Sequence, residues 1–225
     1  MIVEERITSF INSMNADETG IIGEIEAEAI RDEVPIIRKE TKEWIKTMLL
    51  IKQPLRVLEV GAAVGFSAIY MSQFLPEGGH ITTIEKWEPR IEKAKENFKR
   101  AGKEDCITLL EGDAADILKE LEGLYDLIFM DAAKGQYIHF LPDVIRLLAS
   151  DGVLISDNVL QDGEVLDSKY VVERRNRTIH ARMREYLYTL KNQEGLETSI
   201  IPLGDGVALS VKTGYGEKKF GNSVR

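Results

Sequence analysis

The sequence has little cysteine or histidine and no long apolar run, and each shortage excludes a class of protein. Of its 225 residues one is cysteine, Cys106, and three are histidine. The chain therefore forms no internal disulfide and offers no cysteine-rich zinc site. No apolar run approaches the ~18–20 residues that a membrane-spanning helix requires. Residues 1–6 lack a basic head followed by an apolar stretch, so we expect no signal peptide, a cytoplasmic location and no membrane partner.

Positive charge is also scarce. Lysine and arginine number 29 against 38 aspartates and glutamates, which gives a net charge of −9. The molecule as a whole repels polyanions, and any nucleic-acid contact would need a local basic patch. A hydrophobic content of 44% and a charged content of 30% exclude a disordered or collagen-like chain. The length fits a single domain over 1–225, with N-terminal helices over 1–50, a core over 55–211 and a mobile tail over 214–225.

From residue 55 onward, short β-branched or apolar runs alternate with helical patterns. Such alternation is typical of βαβ units, so we predict an α/β fold with a mostly parallel sheet and helices on both faces. Asp205-Gly206 indicates a hairpin that adds an antiparallel pair at one edge, making seven strands. The predicted strands are 55–60, 81–85, 107–111, 124–130, 152–156, 198–202 and 207–211. The predicted helices are 2–14, 21–32, 39–50, 67–74, 89–101, 114–121, 137–148 and roughly 170–191.

Acidic residues and glycines follow the first three predicted strands. Strand one runs into Glu59-Val60-Gly61-Ala62-Ala63-Val64-Gly65-Phe66-Ser67. Alanine at position 63 replaces the second glycine of the dinucleotide fingerprint, so the loop suits a cofactor without phosphates. Glu85 ends strand two, where a carboxylate can accept both hydroxyls of a ribose, and Asp113 follows strand three, where an adenine amino group could be read. These positions predict a nucleoside site; the glycine loop alone could equally be a tight structural turn.

Oxygen donors follow the fourth and fifth predicted strands. Asp131 ends strand four, and Asp157-Asn158 follow strand five; neighbouring strands lie ~4.8 Å apart. Two carboxylates and an amide oxygen favour Mg²⁺ or another hard divalent cation. Lys134 is then placed to take the proton of a bound hydroxyl. The alternatives are a simple turn with an asparagine cap at Asp157-Asn158 and a solvated loop lysine at Lys134.

A basic segment lies near the C-terminal end of the chain. Residues 169–184 contain one lysine and five arginines against Glu173: Lys169, Arg174, Arg175, Arg177, Arg182 and Arg184. On a helix Arg174, Arg177 and Arg184 would share one face, opposite an apolar stripe through Met183. The pattern is consistent with a phosphate-binding strip, or with an ordinary solvated helix face.

The glycine loop and the acidic residues after it resemble the class I S-adenosylmethionine (SAM)-dependent methyltransferases over about 55–211. The resemblance implies that Glu59, Gly61 and Ser67 lie at the methionine part of SAM, Glu85 at the ribose and Asp113-Ala114 at the adenine. Asp-x-x-Lys at 131–134 with Asp157-Asn158 resembles the metal-dependent catechol and caffeoyl-CoA O-methyltransferases. That resemblance implies metal ligands at Asp131, Asp157 and Asn158, catalytic roles for Asp131 and Lys134, a further cofactor contact at Asp131, and a homodimer.

Further stretches resemble one bacterial branch, the tRNA 5-hydroxyuridine methyltransferases. They are Val34-Pro35-Ile36-Ile37, residues 131–137, residues 156–160, the arginine cluster and Ile201-Pro202-Leu203-Gly204-Asp205-Gly206. The resemblance implies the wobble uridine of the tRNA anticodon loop as acceptor and a cofactor contact at Ile37. We expect the arginine strip to dock the tRNA backbone. Two alternatives stay open: an O-methyltransferase of small catechols, and a non-catalytic nucleoside-binding or dehydrogenase-like domain.

Overall fold

The computed structural model describes residues 2–213, in which helices and strands alternate as predicted. The predicted mobile tail, 214–225, lies outside the described residues. The helices are α1 Glu5–Met14, α2 Gly20–Arg31, α3 Lys39–Lys52, α4 Phe66–Ser72, α5 Glu88–Arg100, α6 Ala114–Glu120, α7 Tyr137–Leu147 and α8 Arg177–Asn192. The strands are β1 Arg56–Val60, β2 His80–Glu85, β3 Ile107–Glu111, β4 Tyr125–Met130, β5 Leu148–Ser156, β6 Leu196–Ile201 and β7 Val207–Lys212. Short 3-10 turns occupy Lys134–Gln136 and Gln161–Leu166.

The seven strands form one sheet in the order β3-β2-β1-β4-β5-β7-β6. The first five strands are parallel to one another, while β7 runs antiparallel to both β5 and β6. The order reverses between β1 and β4, because β2 and β3 lie on one side of β1 and β5 on the other. Ligands of open α/β sheets bind at the carboxyl ends of the strands at such a switch point. The predicted fold, including the C-terminal antiparallel hairpin, is confirmed.

Side chains alternate between the two faces of the sheet, and each face is covered by helices. Leu58, Ile128 and Leu154 point into a core shared with α6, α7 and α8. Val57, Leu127 and Val153 point into a second core shared with α2, α3, α4 and α5. The central strands are apolar on both sides, as expected for strands buried by helices on both faces. Within the described residues, no helix has the length and apolar character needed to cross a membrane.

The long helix predicted for 170–191 is wrong at its N-terminal end. Helix α8 begins at Arg177, and the residues before it form turns, with the amide of Val171 bonded to Ser168 O and that of Asn176 to Glu173 O. A charged run does not distinguish a helix from successive turns. The buried positions that hold α8 against the sheet start only at His180, and Arg174 and Arg175 precede the helix.

Candidate active site

The loop after β1 needs glycine at two places because other parts of the chain come very close. Gly61 has a φ of +106°, and a Cβ there would lie 2.2 Å from the carbonyl oxygen of Asp131, at the end of β4. Gly65 has a φ of +80°, and a Cβ there would lie 2.5 Å from the ring of Phe98. Any other residue would be strained by its φ and would collide with these groups. Gly61 thus lets the end of β1 lie directly beside the end of β4, and Gly65 lets the same loop pack against Phe98 of α5.

Glu85, at the end of β2, is held by three backbone N–H groups. Its Oε2 accepts from Ala63 at 2.9 Å, and its Oε1 accepts from Lys86 at 2.9 Å and Trp87 at 3.0 Å. A carboxylate offers about four acceptor positions, so one stays available to a ligand hydroxyl. Glu85 therefore fixes the glycine loop to the end of β2 and keeps one acceptor position for a ligand hydroxyl, while its binding of a ribose stays a prediction.

Glu59 lies in β1 beneath the glycine loop and is fully buried. Thr83 donates a hydrogen bond to its Oε2, while its Oε1 has no hydrogen-bond partner among the described residues. Burial raises the pKa of Glu59 to about 7, although hydrogen bonds from Ser67 and Thr83 act in the opposite direction and lower this pKa. A buried carboxylate with an unpartnered oxygen fits a nearby ligand amino group, although Glu59 is not part of the cavity wall described next.

A cavity of about 810 Å³ opens above the carboxyl ends of the strands. Most of the residues predicted to contact the cofactor line it, namely Ile37, Gly61, Ser67, Glu85, Asp113, Ala114 and Asp131, and so do Asp157 and Asn158. Asp113 also caps α6 by accepting from the amide of Ala115 at 2.9 Å, and that hydrogen bond is the main reason why its pKa is lowered. The structure thus brings the predicted cofactor and metal positions to one cavity.

Two of the three predicted oxygen donors, Asp131 and Asn158, contact the ammonium group of Lys134 at the ends of β4 and β5, and Asp157 lies next to Asn158. Lys134 Nζ lies 3.0 Å from Asp131 Oδ1 and 2.5 Å from Asn158 Oδ1. Asn158 takes a left-handed φ of +56°, and its amide donates to Asp157 Oδ1 at 2.7 Å. Lys134 is therefore bound to the predicted metal ligands and is not a solvated loop lysine.

The charges at this point favour a bound cation. Asp157 is 3% exposed, and its burial, followed by the negative charge of Asp131, raises its pKa. Two carboxylates this close are unfavourable unless positive charge compensates them, and Lys134 supplies one such charge. Among the described residues no group of three or more His, Cys, Asp or Glu is arranged to hold a metal. The third donor here is the Asn158 amide, and an all-oxygen set of this kind fits a hard divalent ion.

Tyr137 connects the two strand ends that carry the site. It is fully buried, and its hydroxyl lies 3.0 Å from Met130 O, 3.1 Å from Asp157 O and 3.3 Å from the amide nitrogen of Ala132. Its ring meets Tyr186 edge-on at 5.4 Å. One phenol thus joins the ends of β4 and β5, which carry the predicted metal ligands. Sequence reasoning missed this role, and the aromatic position right after Lys134-Gly135-Gln136 was the only signal.

The predicted arginine strip is divided in the structure. Three of its arginines donate to backbone carbonyls: Arg177 to Val172 at 3.1 Å, Arg182 to Gly135 at 3.0 Å and Arg184 to Val165 at 2.8 Å. Arg174 and Arg175 are exposed, and Arg175 pairs with Glu173 at 2.7 Å. Because Arg174 lies outside the helix, the predicted shared face with Arg177 and Arg184 does not form.

Sequence reasoning also missed parts of the cavity wall. Phe66, at the start of α4, is one of these residues. Trp87 and Arg90, which follow Glu85 in the chain, are two more, and the Arg90 guanidinium lies 5.2 Å from the centre of the Trp87 ring. Nothing in the spacing of these residues distinguishes them from packing positions. Arg38 also lines the cavity, 3.4 Å from Asp162.

The sheet order, the glycine loop and the acidic strand ends define a class I methyltransferase fold with a site for SAM. The sequence pattern of the O-methyltransferase family matches residues 12–213. The chain therefore belongs to the O-methyltransferase family, and it is a SAM-dependent O-methyltransferase of the catechol and caffeoyl-CoA type.

Individual relatives agree with this assignment. A catechol O-methyltransferase of Niastella koreensis is 33% identical over 129 residues, which are 56% of this chain and 58% of that enzyme. A caffeoyl-CoA O-methyltransferase of Populus kitakamiensis is 31% identical over 175 residues, 74% of this chain and 73% of that enzyme. The S-adenosylhomocysteine-bound methyltransferase PaMTH1 of Podospora anserina has a TM-score of 0.81 at 25% identity and covers 92% of this chain and 93% of its own.

Proposed function

We propose that this O-methyltransferase methylates the 5-hydroxyl group of 5-hydroxyuridine at the wobble position of tRNA, forming 5-methoxyuridine. The observation that carries the chemistry is the contact of Lys134 Nζ with Asp131 and Asn158, with Asp157 next to Asn158, beside a cavity large enough for a nucleoside cofactor. A hydroxyl beside a ring carbonyl gives the two neighbouring oxygens that such a cluster can orient through a cation.

The residues of the site fall into two groups, one that binds the methyl donor and one that acts on the acceptor. Glu85 and the Gly61–Ser67 loop would hold the nucleoside and methionine parts of SAM in the cavity beside the ends of β4 and β5. Asp131, Asp157 and Asn158 would hold a Mg²⁺ ion, which would supply positive charge that favours the ionised acceptor hydroxyl. Lys134, when neutral, accepts the hydroxyl proton at Nζ. The acceptor oxygen bonds to the methyl carbon, and the electron pair of the broken C–S bond stays on sulfur.

The tRNA part of the proposal is supported by exposed groups before α8. Arg174 and Arg175 are exposed, and Tyr170 is 78% exposed beside Lys169, whose Nζ lies 5.2 Å from the Tyr170 ring. Cations beside an exposed aromatic ring suit an unpaired RNA loop, because the cations can bind its phosphates and the ring can stack on its bases. Since Arg177, Arg182 and Arg184 already bind backbone carbonyls, we assign the docking role to Arg174 and to Arg175, whose partner Glu173 is itself exposed.

The second candidate is methylation of a small catechol or a caffeoyl-CoA-like thioester. It is supported by the relatives that carry these names at 31–33% identity. Both candidates use the same oxygen cluster, because a catechol also presents two neighbouring oxygens. They differ in whether Arg174 and Arg175 contribute to substrate binding.

One competition experiment separates the two candidates. SAM with a labelled methyl group and Mg²⁺ is offered to hydroxyuridine-bearing tRNA and to a simple catechol, at matched concentrations. The proposal predicts a much higher kcat/KM for tRNA, and a KM for tRNA that rises on replacing Arg174 and Arg175 with alanine while the salt dependence weakens. Equal or better use of the catechol, with no effect of the two replacements on tRNA, would establish the second candidate.

We also propose a homodimer that uses α1. No residue of α1 is buried, and its apolar side chains Phe10 and Met14 are 66% and 65% exposed. An apolar helix face of this kind is typical of a surface that another chain covers. Light scattering of the Phe10→Asp variant should show a monomer where the parent protein is a dimer; a parent protein that is already monomeric would refute the proposal.

A further inference from the structure

Arg182 makes a contact that its place in a basic segment does not suggest. Its Nη1 donates to the carbonyl oxygen of Gly135 at 3.0 Å, across 47 residues of sequence. The side chain is half-buried. A Cβ on Gly135 would lie 3.6 Å from Ile179 Cγ1 and 3.7 Å from Arg182 Nη1. One face of α8 therefore packs directly against the backbone of Gly135.

Gly135 is the middle residue of the 3-10 turn that carries Lys134. The turn spans Lys134–Gln136 and is closed by a 2.8 Å hydrogen bond from the Gln136 amide to Ala133 O. From its first residue the Lys134 side chain reaches Asp131 Oδ1 and Asn158 Oδ1. The orientation of the Gly135 peptide thus determines where the Lys134 chain starts and where its Nζ can lie.

Helix α8, which carries Arg182, is held firmly against the rest of the protein. Met183, Tyr186 and Leu190 of α8 are fully buried in the core shared with α6 and α7. At the other end of the turn, the Tyr137 hydroxyl binds the backbone of Met130, Ala132 and Asp157. The segment 131–137 is therefore held at both ends, by Tyr137 from below and by Arg182 from the side.

We infer that Arg182 is a positioning residue for Lys134, and that it acts through the Gly135 carbonyl and not by binding RNA phosphate. With the guanidinium removed, the turn loses its lateral support and Lys134 Nζ spends less time in reach of the acceptor hydroxyl. The inference rests on the proposed role of Lys134 as base, and it applies whichever acceptor the enzyme uses, because every acceptor must give its proton at the same place.

Three alanine variants distinguish positioning from RNA binding. Arg182→Ala removes the contact under study. Arg146→Ala is the matched control, because Arg146 also donates to backbone carbonyls, those of Leu118 at 2.6 Å and Leu121 at 3.0 Å, but from the last turn of α7, at the opposite end of that helix from Lys134. Arg174→Ala removes an exposed cation of the proposed RNA surface.

We expect Arg182→Ala to lower kcat about tenfold, with the KM for the acceptor nearly unchanged, because misplacing a catalytic group affects turnover more than binding. The same loss should occur with tRNA and with a catechol, Arg182→Lys should recover part of it, and Arg146→Ala should leave kcat at the parent value. Arg174→Ala should change KM for tRNA alone.

Hydrogen exchange of the protein without substrate gives a readout that does not depend on the proposed function. Amides of 132–136 should exchange several-fold faster in Arg182→Ala and at the parent rate in Arg146→Ala. If no tRNA is methylated, the proposed acceptor fails while the exchange result still decides the role of Arg182. Parent-like exchange in 132–136, or a loss confined to the KM for tRNA and its salt dependence, would overturn the inference.

Discussion

At the scale of single residues, Lys134 is the side chain on which the proposed chemistry depends most directly. Its Nζ lies within hydrogen-bonding distance of both Asp131 and Asn158, so it is fixed at the point where an acceptor hydroxyl would lose its proton. The Asp-x-x-Lys pattern indicates that Asp131 and Lys134 belong to one loop, but it does not predict their direct contact. The second partner, Asn158, depends on the left-handed turn after β5, which the sequence pattern does not specify.

Replacing Lys134 with methionine should lower kcat by about 10²- to 10³-fold, because general-base contributions are of this size, while SAM binding stays unchanged. Single-turnover methyl transfer and calorimetric SAM binding measure the two effects. Lys119→Met is a matched control, since Lys119 forms the same i,i+3 pair with Asp116, at 3.3 Å on the exposed side of α6. Equal turnover in Lys134→Met and Lys119→Met would argue against the base assignment.

Glu85 gives a second prediction at this scale. Replacing it with glutamine turns one acceptor oxygen into an N–H₂ group that faces backbone donors, so we expect the Kd for SAM to rise at least about tenfold. Glu111→Gln is the control, because Glu111 lies beside Glu85 in the register of β2 and β3 but pairs with Lys95 at the surface. Titration calorimetry of both variants tests this, and unchanged SAM binding in Glu85→Gln would refute the role.

At the scale of elements, the ends of β4 and β5 are joined by the Tyr137 hydroxyl, beyond the last ladder hydrogen bond from Asp157 N to Met130 O. The periodicity of α7 predicts a buried Tyr137, but burial alone does not say that its hydroxyl binds two strands. Long-range polar contacts of this kind leave no local pattern in a sequence.

We expect Tyr137→Phe to weaken the binding of Mn²⁺, the paramagnetic probe used in place of Mg²⁺, several-fold, because the two strand ends would separate more easily. The same variant should lower the free energy of unfolding by about 1–2 kcal/mol. Tyr186→Phe removes a comparably buried hydroxyl that bonds the Ser156 side chain, and should reduce stability without changing Mn²⁺ binding. Paramagnetic resonance titrations and urea unfolding measure the two quantities. Identical Mn²⁺ affinity in both variants would contradict the role given to Tyr137.

Helices α2 and α5 are joined by a paired set of hydrogen bonds from Arg100 to Glu28, both at 2.7 Å. Hydrogen bonding to Arg100 lowers the pKa of Glu28 to about 2 from an ordinary value of 4.5. A lowered pKa means that the folded state binds the proton less readily than the unfolded state. The contribution of this pair is therefore complete above pH 4.5 and is lost as the pH falls toward 2.

Urea unfolding between pH 6 and pH 2.5 tests this pair. The Glu28→Gln variant should lose stability near neutral pH and show a shallower decline on acidification than the parent protein. Glu24→Gln is the control, because Glu24 lies 3.8 Å from Arg100 and is largely exposed. Parallel pH profiles for Glu28→Gln and the parent protein would show that the pair contributes nothing measurable.

At the scale of the whole molecule, the sequence predicts the alternation of strands and helices because the apolar runs of β1, β4 and β5 are buried on both faces. It does not predict the start of α8, where residues 167–176 form turns whose carbonyls are bound by Arg177 and His180. It also misses residues 148–151 as part of β5, where the register shifts opposite Tyr125 and Asp151 adopts a positive φ. Contacts between distant segments decide both features.

The candidate site also has a part that local sequence patterns predict and a part that depends on contacts between distant segments. Residues at the ends of strands were predicted because parallel strands all end at one edge of the sheet, which holds for Glu85, Asp113, Asp131 and Asp157. Side chains that reach the site from elsewhere, such as Arg38 and Arg182, were missed or given another role. Their positions depend on how α3 and α8 pack against the sheet, and sequence periodicity does not fix that packing.

Metal dependence of methyl transfer is the most direct test of the whole account, because Asp131, Asp157 and Asn158 are proposed to act through one divalent cation. The measurement is the rate of labelled methyl transfer to hydroxyuridine-bearing tRNA after treatment with EDTA, followed by addition of excess Mg²⁺. The account predicts that EDTA abolishes transfer, that Mg²⁺ restores it, and that folded Asp131→Ala and Asp157→Ala variants are not restored. Full turnover in EDTA by the parent protein and by both variants would contradict it.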